Sequence, residues 1–418
     1  MSRVDHRMRA PGLKWALTLL LTIPYTTGCS FDVTNPGPVQ DAQLNDPAAQ
    51  QALVSGAGRL LSAAVGWVAY TGGVAALEVQ GSGNITQFGV TLKQRDGDLA
   101  PEQAETDEHW QRSQAARWVS EESVNRMRDV FGADFSSQPL AAQALLYVGY
   151  SNRLLGENMC VAVIDAGPVQ PRTVHFERAK AAFTEAIDVA AAVGEQEMGL
   201  AARAGRASVN AWLGDWAGVE ADAGAVPQDF VYSIAYSDIE LEQYNRIHWA
   251  GASSPFRAVT VWSTYFEQYY QDTNDPRTPW TTVDGFPTGD GSNVPFYRQM
   301  KYDSRTSPIR LSSGREMQLL LAEARLRAGD WSSATTIMNG LRGELSLPAA
   351  SPADLTETWN LLRRERGAEL WLEARSLGDI FRWQEEAVPG AHYQDLSGRD
   401  RCFPVGQSEL DTNPNGGA

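Results

Sequence analysis

The chain has 418 residues, of which 43% are hydrophobic and 21% charged, a composition typical of a folded body with a large core. The formal net charge of −16 disfavours nucleic acid as a partner, because phosphate recognition needs clustered Lys and Arg, and the sequence contains no such cluster. The length allows one large domain or two intimate ones.

The amino terminus has the parts of an export signal. Basic residues within Met1–Lys14 precede the apolar run Trp15–Tyr25, which is too short for a membrane span of about 20 residues. Thr27-Gly28-Cys29 follows directly and resembles the cleavage site of bacterial lipoproteins. We therefore predict a signal peptide over residues 1–28 and acylation of Cys29, which would anchor the protein in a membrane. The alternative is simple secretion without a role for Cys29.

The composition changes twice over residues 29–100. Residues 29–47 are rich in Pro, Asn and Gly and are predicted to be a lipid-anchored tether, and the body is predicted to cover residues 48–418. Small residues predict a first helix over Ala48–Gly66. Repeated glycines over residues 67–100, including Gly72 and Gly73, predict loops and short strands there.

Helical spacing resumes and continues for more than a hundred residues. It predicts helices over Gln103–Phe131, Leu140–Leu155 and Leu200–Leu213. Between the last two, Ala179, Phe183 and Ala186 have the A-x-x-x-F-x-x-A spacing of a tetratricopeptide second helix. In that motif, small residues let helices approach and the aromatic ring fills the groove.

A glycine-aspartate-tryptophan turn occurs twice. Gly214-Asp215-Trp216 ends one predicted helix, and Gly329-Asp330-Trp331 ends another over Arg315–Arg327. Two copies, each between helices, predict tetratricopeptide-like helix pairs over about residues 103–226 and 311–388. They are separated by residues 227–310, which are rich in aromatics and proline and lack helical period. Such a segment indicates either a binding region or an unusually irregular core, and we predict an irregular ligand-binding region.

The last strongly patterned stretch is Leu361–Trp383, which lacks proline and is predicted to be one helix of about six turns. An apolar stripe runs along it, made of Leu370, Ala374, Leu377 and Phe381. Charged residues lie beside the stripe at helical spacing. On charge pattern alone, this is a solvated amphipathic helix.

The order of charges in this stretch carries a resemblance. The pattern E-R-x-x-E-L-x-x-E-x-x-x-x-x-D-x-x-R-W consists of Glu365, Arg366, Glu369, Leu370, Glu373, Asp379, Arg382 and Trp383. It resembles a signature of the SusD/RagB family, although Ala374 stands where glycine is usual and Arg375 lies one place before the expected arginine. Further short motifs resemble family elements in the same order: Asn35-Pro36, Asp275-Pro276-Arg277, Lys301-Tyr302, Arg310 or Arg315 with Ala322-Glu323-Ala324, Asn339 with Arg342, Phe403-Pro404-Val405, and Asn413-Pro414.

This resemblance implies a mainly α, SusD-like fold with tetratricopeptide-like helix pairs, a large irregular aromatic-rich insertion and few short strands. It also implies a nutrient-binding lipoprotein of the bacterial outer membrane, facing the cell exterior. The implied ligand is most often a glycan or oligosaccharide, with peptides as an alternative. The implied partner is a TonB-dependent transporter of the SusC type, on which the lipoprotein sits as a lid.

The sequence contains none of the common enzyme motifs. The five histidines are scattered without metal-ligand spacing, and no phosphate loop or nucleophile elbow occurs, so no metal, cofactor or catalytic residue is predicted. Glycoside hydrolysis needs only two carboxylates and stays open as an alternative. A second alternative is a lipid-anchored helical-repeat scaffold that binds another protein.

Binding of sugar is predicted to use aromatic rings, because the C–H faces of sugars stack on Trp and Tyr. We predict Trp249, Trp280 and Tyr270 as stacking platforms and Glu78 and Asn84 as polar contacts. Two cysteines besides Cys29, Cys160 and Cys402, are 242 positions apart, and the sequence leaves their pairing open.

Overall fold

The computed structural model describes residues 41–82, 90–100, 104–254, 256–285 and 293–415. Predicted residues Cys29 and Asn84 lie outside these ranges. The helices are α1 Gln50–Ala75, α2 Leu92–Arg95, α3 Ala104–Phe131, α4 Pro139–Asn158, α5 Thr173–Val193, α6 Gln196–Trp212, α7 Trp216–Ala223, α8 Tyr265–Thr273, α9 Gly314–Arg327, α10 Trp331–Glu344, α11 Leu355–Glu369, α12 Ser376–Glu385 and α13 Gln407–Thr412.

The strands are short and form two-stranded antiparallel sheets. They pair as β1 with β5, β2 with β3, β4 with β8, and β6 with β7. Their bounds are β1 Gln80–Gly81, β2 Val161–Ala162, β3 Gln170–Pro171, β4 Val231–Ile234, β5 Val259–Thr260, β6 Trp280–Thr282, β7 Tyr297–Gln299 and β8 Ile309–Ser313. The mainly α fold class with few short strands is confirmed.

The helix pairs pack as the tetratricopeptide spacing predicts. Helices α3 to α7 contact one another in sequence, α9 to α11 form a second group, and α7 joins the groups by packing on α9. Phe183 of α5 is fully buried between Gly149 of α4 and Gly205 of α6. A Cβ atom added at either glycine would lie 2.4 Å from the Phe183 ring, so only glycine allows this approach.

Both predicted glycine-aspartate-tryptophan turns are confirmed. Gly214 and Gly329 have left-handed φ values of 71° and 80°. The following aspartates cap the next helices: Asp215 accepts a hydrogen bond from the amide of Gly218, and Asp330 from the amide of Ser333. The two turns therefore have the same backbone conformation.

Helix α1 is longer than predicted. The sequence predicted its end at Gly66 and loops from Trp67 onward, but the helix continues to Ala75 and contains Gly72 and Gly73. Every residue of α1 from Leu61 onward is buried, and α1 packs on α3 and α4. Tertiary packing thus outweighs the poor helix propensity of glycine. The length and composition of α1 would suit a membrane span, yet 67% of its most apolar window is buried, as in a core helix.

The predicted continuous helix over Leu361–Trp383 is wrong. Helix α11 ends at Glu369 and α12 begins at Ser376. Between them, Leu372 and Ala374 have left-handed φ values of 58° and 61°, which a right-handed helix does not allow. The left-handed backbone at Ala374 also explains the glycine that is usual at this position of the signature.

A disulfide joins Cys160 to Cys402, which answers the question that the sequence left open. Met159 and Phe403 form a β-bridge beside it, and the amide of Cys160 donates a hydrogen bond to the carbonyl of Phe403. The carboxyl-terminal segment is thereby fastened to the end of α4.

Candidate functional site

The irregular region leaves the helices and returns to them through one small sheet. Strand β4 lies at its beginning and β8 at its end, and the two pair from Val231 with Ser313 to Ile234 with Ile309. Between these strands the described chain consists of short strands, α8, two short helical turns and loops. The described part of residues 227–310 therefore has little regular secondary structure.

Three partly exposed aromatic residues meet where α8 lies beside the pair of strands β6 and β7, and we call them the aromatic hairpin: Tyr270 of α8, Trp280 of β6 and Tyr297 of β7. Trp280 lies opposite Gln299 and Tyr297 opposite Thr282, so the two rings are diagonal neighbours on one face. Their centroids are 4.6 Å apart with an interplanar angle of 6°. The Tyr270 ring lies 6.1 Å from Trp280.

The orientation of Trp280 is fixed by its polar edge. Its indole Nε1–H donates a 3.2 Å hydrogen bond to the carbonyl of Glu267 in α8. Tyr297 is held by its backbone, since its amide donates to Thr260 Oγ1 at 2.8 Å and its carbonyl accepts from the amide of Val261. The stacked pair is therefore preorganised by both neighbouring elements.

Trp249 belongs to a second aromatic group. It lies in a π-helical turn over Ile247–Ala252 and contacts the rings of Tyr244 and Phe256 at centroid distances of 6.2 and 5.1 Å. The guanidinium of Arg246 lies 4.9 Å from the Trp249 centroid. Strand β5 contacts both this π-helical turn and β7. The structure thus brings Tyr270 and Trp280 together and places Trp249 in a neighbouring group.

Glu78 is an interior residue with 1% exposure. Its Oε1 accepts hydrogen bonds from the amide of Leu372 and the hydroxyl of Ser376. Burial raises the pKa of Glu78 to about 7, although these hydrogen bonds and the charge of Lys301 act in the opposite direction. A carboxyl group so enclosed contacts the chain itself, and we leave Glu78 out of the candidate ligand site.

Some of the short motifs quoted above, namely Asp275-Pro276-Arg277, Lys301-Tyr302 and Arg310, meet in one buried network of charges with the signature glutamates. Arg277 donates to Asp275 at 2.6 Å and to Glu365 at 2.8 Å, and its Nη1 lies 3.4 Å from Glu369. Burial alone would raise the pKa of Asp275, but the hydrogen bonds and charge of Arg277 outweigh burial and lower it. This network ties the irregular region to α11.

The same network extends across the break between α11 and α12. Arg310 bridges Glu369 and Glu373, and Lys301 pairs with Glu373 at 2.7 Å. The displaced Arg375 pairs with two carboxylates from other helices, Glu157 and Glu316, at 3.0 and 2.8 Å.

The prediction of a solvated helix face is wrong, because the signature residues Glu365, Arg366, Glu369, Glu373 and Asp379 are at most 7% exposed. Their charges are satisfied by one another and by partners from distant segments. The network therefore holds the irregular region in place, and the aromatic hairpin is the part of the candidate site that is open to a ligand.

Residues 264–415 match the family model described as the SusD family. This match covers about the carboxyl-terminal third of the chain, which is therefore similar to SusD family proteins. The matched residues contain the Asp275-Pro276-Arg277, Lys301-Tyr302 and Glu365–Trp383 motifs that form the buried network. No curated protein matches the chain.

Solved SusD structures share the fold over nearly the whole chain. A SusD superfamily protein from Bacteroides thetaiotaomicron is 14% identical, with 90% of this chain and 98% of that chain covered and a TM-score of 0.64. A laminarin-binding SusD-like protein is 12% identical, with 89% and 98% covered and a TM-score of 0.65. Surface glycan-binding protein A from Bacteroides thetaiotaomicron is 13% identical, with 88% and 98% covered and a TM-score of 0.62.

Tyr297 was absent from the residues predicted from the sequence. Its place beside Trp280 depends on the register of two strands that are separated by a glycine- and proline-rich stretch. Aromatic residues on both sides of such a stretch are a hairpin signal that could have paired them.

Proposed function

We propose that this protein binds a glycan at the cell surface through the aromatic hairpin. The observation that carries the proposal is the parallel, partly exposed stack of Trp280 and Tyr297 with Tyr270 beside it. Aromatic faces bind the C–H faces of sugar rings, and a stack whose rings are already oriented loses little conformational entropy on binding. Two solved structures with the same fold, one named laminarin-binding and one named surface glycan-binding, support this ligand class.

The proposal includes the cellular context. Acylation of Cys29 after removal of residues 1–28 anchors the protein in the outer membrane, and residues 29–47 act as the tether for a body over residues 48–418. The glycan passes to a TonB-dependent transporter of the SusC type. The match of residues 264–415 to the SusD family model and the lipoprotein-like cleavage site support this arrangement. Mass analysis of the membrane-extracted protein tests the anchor, and co-purification of a transporter from the native outer membrane tests the partner.

The binding experiment uses the purified soluble body and a panel of neutral and acidic glycans, measured by calorimetry. We expect Trp280→Ala to weaken binding of the best glycan at least tenfold, with unchanged circular dichroism. Trp118→Ala is the matched control, because Trp118 is 53% exposed on α3 and outside the irregular region. Equal affinities for both variants would contradict the aromatic hairpin as the site.

The same samples separate the proposal from its alternatives. Binding without release of shorter sugars is expected, and release of products over hours would favour a glycosidase. Capture of a protein partner by a chain that binds no glycan would favour the scaffold. Trp249→Ala tests whether the second aromatic group extends the binding surface; we propose that it does and expect weaker binding of long oligosaccharides only.

A further inference from the structure

A cavity of about 410 Å³ lies between α11, α12 and the segment that follows α12, and we call it the C-terminal cavity. Its volume falls within the range of about 300–1,000 Å³ that is usual for small-molecule sites. Its polar lining residues are Arg363, Gln384, His392, Gln394, Ser397 and Arg401. None of its lining residues is acidic, although the whole chain has a net charge of −16.

Arg401 has unused hydrogen-bonding capacity. Its Nε is buried without a hydrogen-bond partner among the described residues. No carboxylate oxygen of the described residues lies within 4 Å of the guanidinium nitrogens of Arg401. A buried donor without a partner is unfavourable unless a water or ligand satisfies it. Arg401 is therefore a donor available to an occupant of the cavity.

Arg363 is held in position without an anionic partner. It is 5% exposed, and its guanidinium donates to the carbonyls of Pro389 at 2.8 Å and Val388 at 3.1 Å. No described carboxylate forms an ion pair with it. By contrast, the neighbouring Arg366 and Arg382 pair closely with Asp379 and Glu323.

His392 adds a neutral donor. Its Nδ1 accepts a 3.2 Å hydrogen bond from the amide of Gln394, which leaves the ring proton on Nε2. Burial lowers the pKa of His392 to about 4, so the ring is neutral at pH 7. The rest of the lining includes apolar side chains, among them Ile380, Trp383 and Leu396.

We propose that the C-terminal cavity is a second ligand site that binds a small carboxylate of monosaccharide size. Arginine guanidinium groups bind carboxylates through paired, charge-assisted hydrogen bonds, and Arg401 and Arg363 line one cavity without anionic partners of their own. The apolar wall accommodates the ring of the ligand. This site lies outside the aromatic hairpin, and the proposal does not depend on glycan binding there.

The probe pair is glucuronate and glucose, which share the sugar ring but differ in the carboxylate. Calorimetry on the folded protein is expected to show glucuronate binding that weakens with added salt and no binding of glucose under the same conditions. Equal binding of the two sugars, or absence of glucuronate binding up to tens of millimolar, would overturn the proposal.

Variants locate the binding. Arg401→Gln is expected to weaken glucuronate binding at least tenfold. Arg325→Gln is the matched control, because it removes the same charge from a half-exposed position on α9. Ser397→Trp fills the mouth of the cavity and is expected to abolish binding, which keeps the test decisive if Arg401→Gln does not fold. Unchanged affinity in folded Arg401→Gln or Ser397→Trp would overturn the site, whereas Trp280→Ala is expected to bind glucuronate normally.

Discussion

Arg366 and Asp379 form a two-pronged ion pair across the break between α11 and α12. Nε lies 2.9 Å from Oδ2 and Nη2 lies 3.1 Å from Oδ1, and both residues are buried. In one continuous helix, residues 13 positions apart would be separated by about 20 Å along the axis. The break therefore makes the pair possible, because it lets the chain change direction between α11 and α12.

The pair between Arg382 and Glu323 is equally enclosed, and its loss is expected to be costly. Arg382 donates to both carboxylate oxygens of Glu323 at 2.7 and 2.8 Å. Arg382→Met removes one partner of a buried pair, and we expect the free energy of unfolding to fall by about 3–5 kcal/mol in guanidinium titrations at pH 7. The double variant Arg382→Met/Glu323→Leu is expected to recover most of this loss. A free energy of unfolding for Arg382→Met within about 0.5 kcal/mol of the wild type would contradict a structural role for the pair.

The pair between Arg382 and Glu323 also predicts that the protein loses stability in acid. Burial alone would raise the pKa of Glu323, but the charge and hydrogen bonds of Arg382 outweigh it and lower the pKa to about 2. The stabilisation is therefore present above the unfolded pKa of about 4.5 and is lost as the pH falls toward 2. The stability difference between Arg382→Met and the wild type is expected to shrink over this window, measured by urea unfolding at several pH values. A stability difference that is constant from pH 5 to pH 2 would refute the lowered pKa of Glu323.

Glu78 is expected to produce the opposite dependence. Its folded pKa of about 7 lies above the ordinary glutamate pKa of 4.5, so the unfolded chain releases this proton first as the pH rises. The wild type therefore loses stability from about pH 4.5 to pH 7, by an amount on the order of 2–3 kcal/mol. Glu78→Gln keeps an oxygen acceptor but does not titrate. We expect its stability relative to the wild type to rise by that amount between pH 4.5 and pH 8, and a flat difference would argue against the raised pKa.

The sequence predicted the fold class, the two glycine turns and the helix pairs because these depend on local spacing. Burial of the charged signature was missed, because helical spacing places Glu365 and Glu369 on one face but does not show what covers that face. Their partner Arg277 lies 88 positions before Glu365. The extension of α1 was missed because Gly72 and Gly73 are poor helix formers, and their enclosure by other helices is a tertiary effect.

The candidate site was predicted in part. Aromatic composition pointed to Tyr270 and Trp280, which meet in the structure, but it could not assign Trp249 to a different group, since that depends on the π-helical turn. The sequence does not show the surroundings of Glu78, and only the hydrogen bond from the amide of Leu372 shows that its carboxyl group faces inward. The C-terminal cavity has no sequence signal, because its lining comes from two helices and a loop.

The disulfide is expected to stabilise the fold by closing a long loop. Removing a bond between residues 242 positions apart increases the entropy of the unfolded chain, and we expect the double variant Cys160→Ser/Cys402→Ser to lose about 2–4 kcal/mol. A reductant is expected to lower the stability of the wild type by a similar amount and to leave the variant unchanged. Free thiols are then titrated in the unfolded, unreduced wild type. Detection of Cys160 and Cys402 as thiols would contradict the bond.

The close approach at Phe183 predicts different effects for two glycine substitutions. Gly149→Ala places a methyl group against the buried Phe183 ring and is expected to cost about 1–3 kcal/mol through overpacking. Gly340→Ala is the control, since Gly340 is exposed in α10 with no atom within 4 Å of an added Cβ. Gly340→Ala is expected to raise the free energy of unfolding by about 0.5–1 kcal/mol, because alanine has a higher helix propensity than glycine. Similar thermal midpoints for the two variants would contradict the tight helix contact.

Ala374 is expected to tolerate glycine where other buried alanines do not. Its left-handed backbone costs an L-residue about 1–2 kcal/mol, and glycine removes this cost while losing a methyl contact and gaining freedom in the unfolded chain. These effects oppose each other, so Ala374→Gly is expected to lie within about 0.5–1 kcal/mol of the wild type. Ala368→Gly, at a buried right-handed position in α11, has no strain to relieve and is expected to cost about 2 kcal/mol. Equal losses in chemical unfolding would show that Ala374 carries no strain, and the break between α11 and α12 would then need another cause.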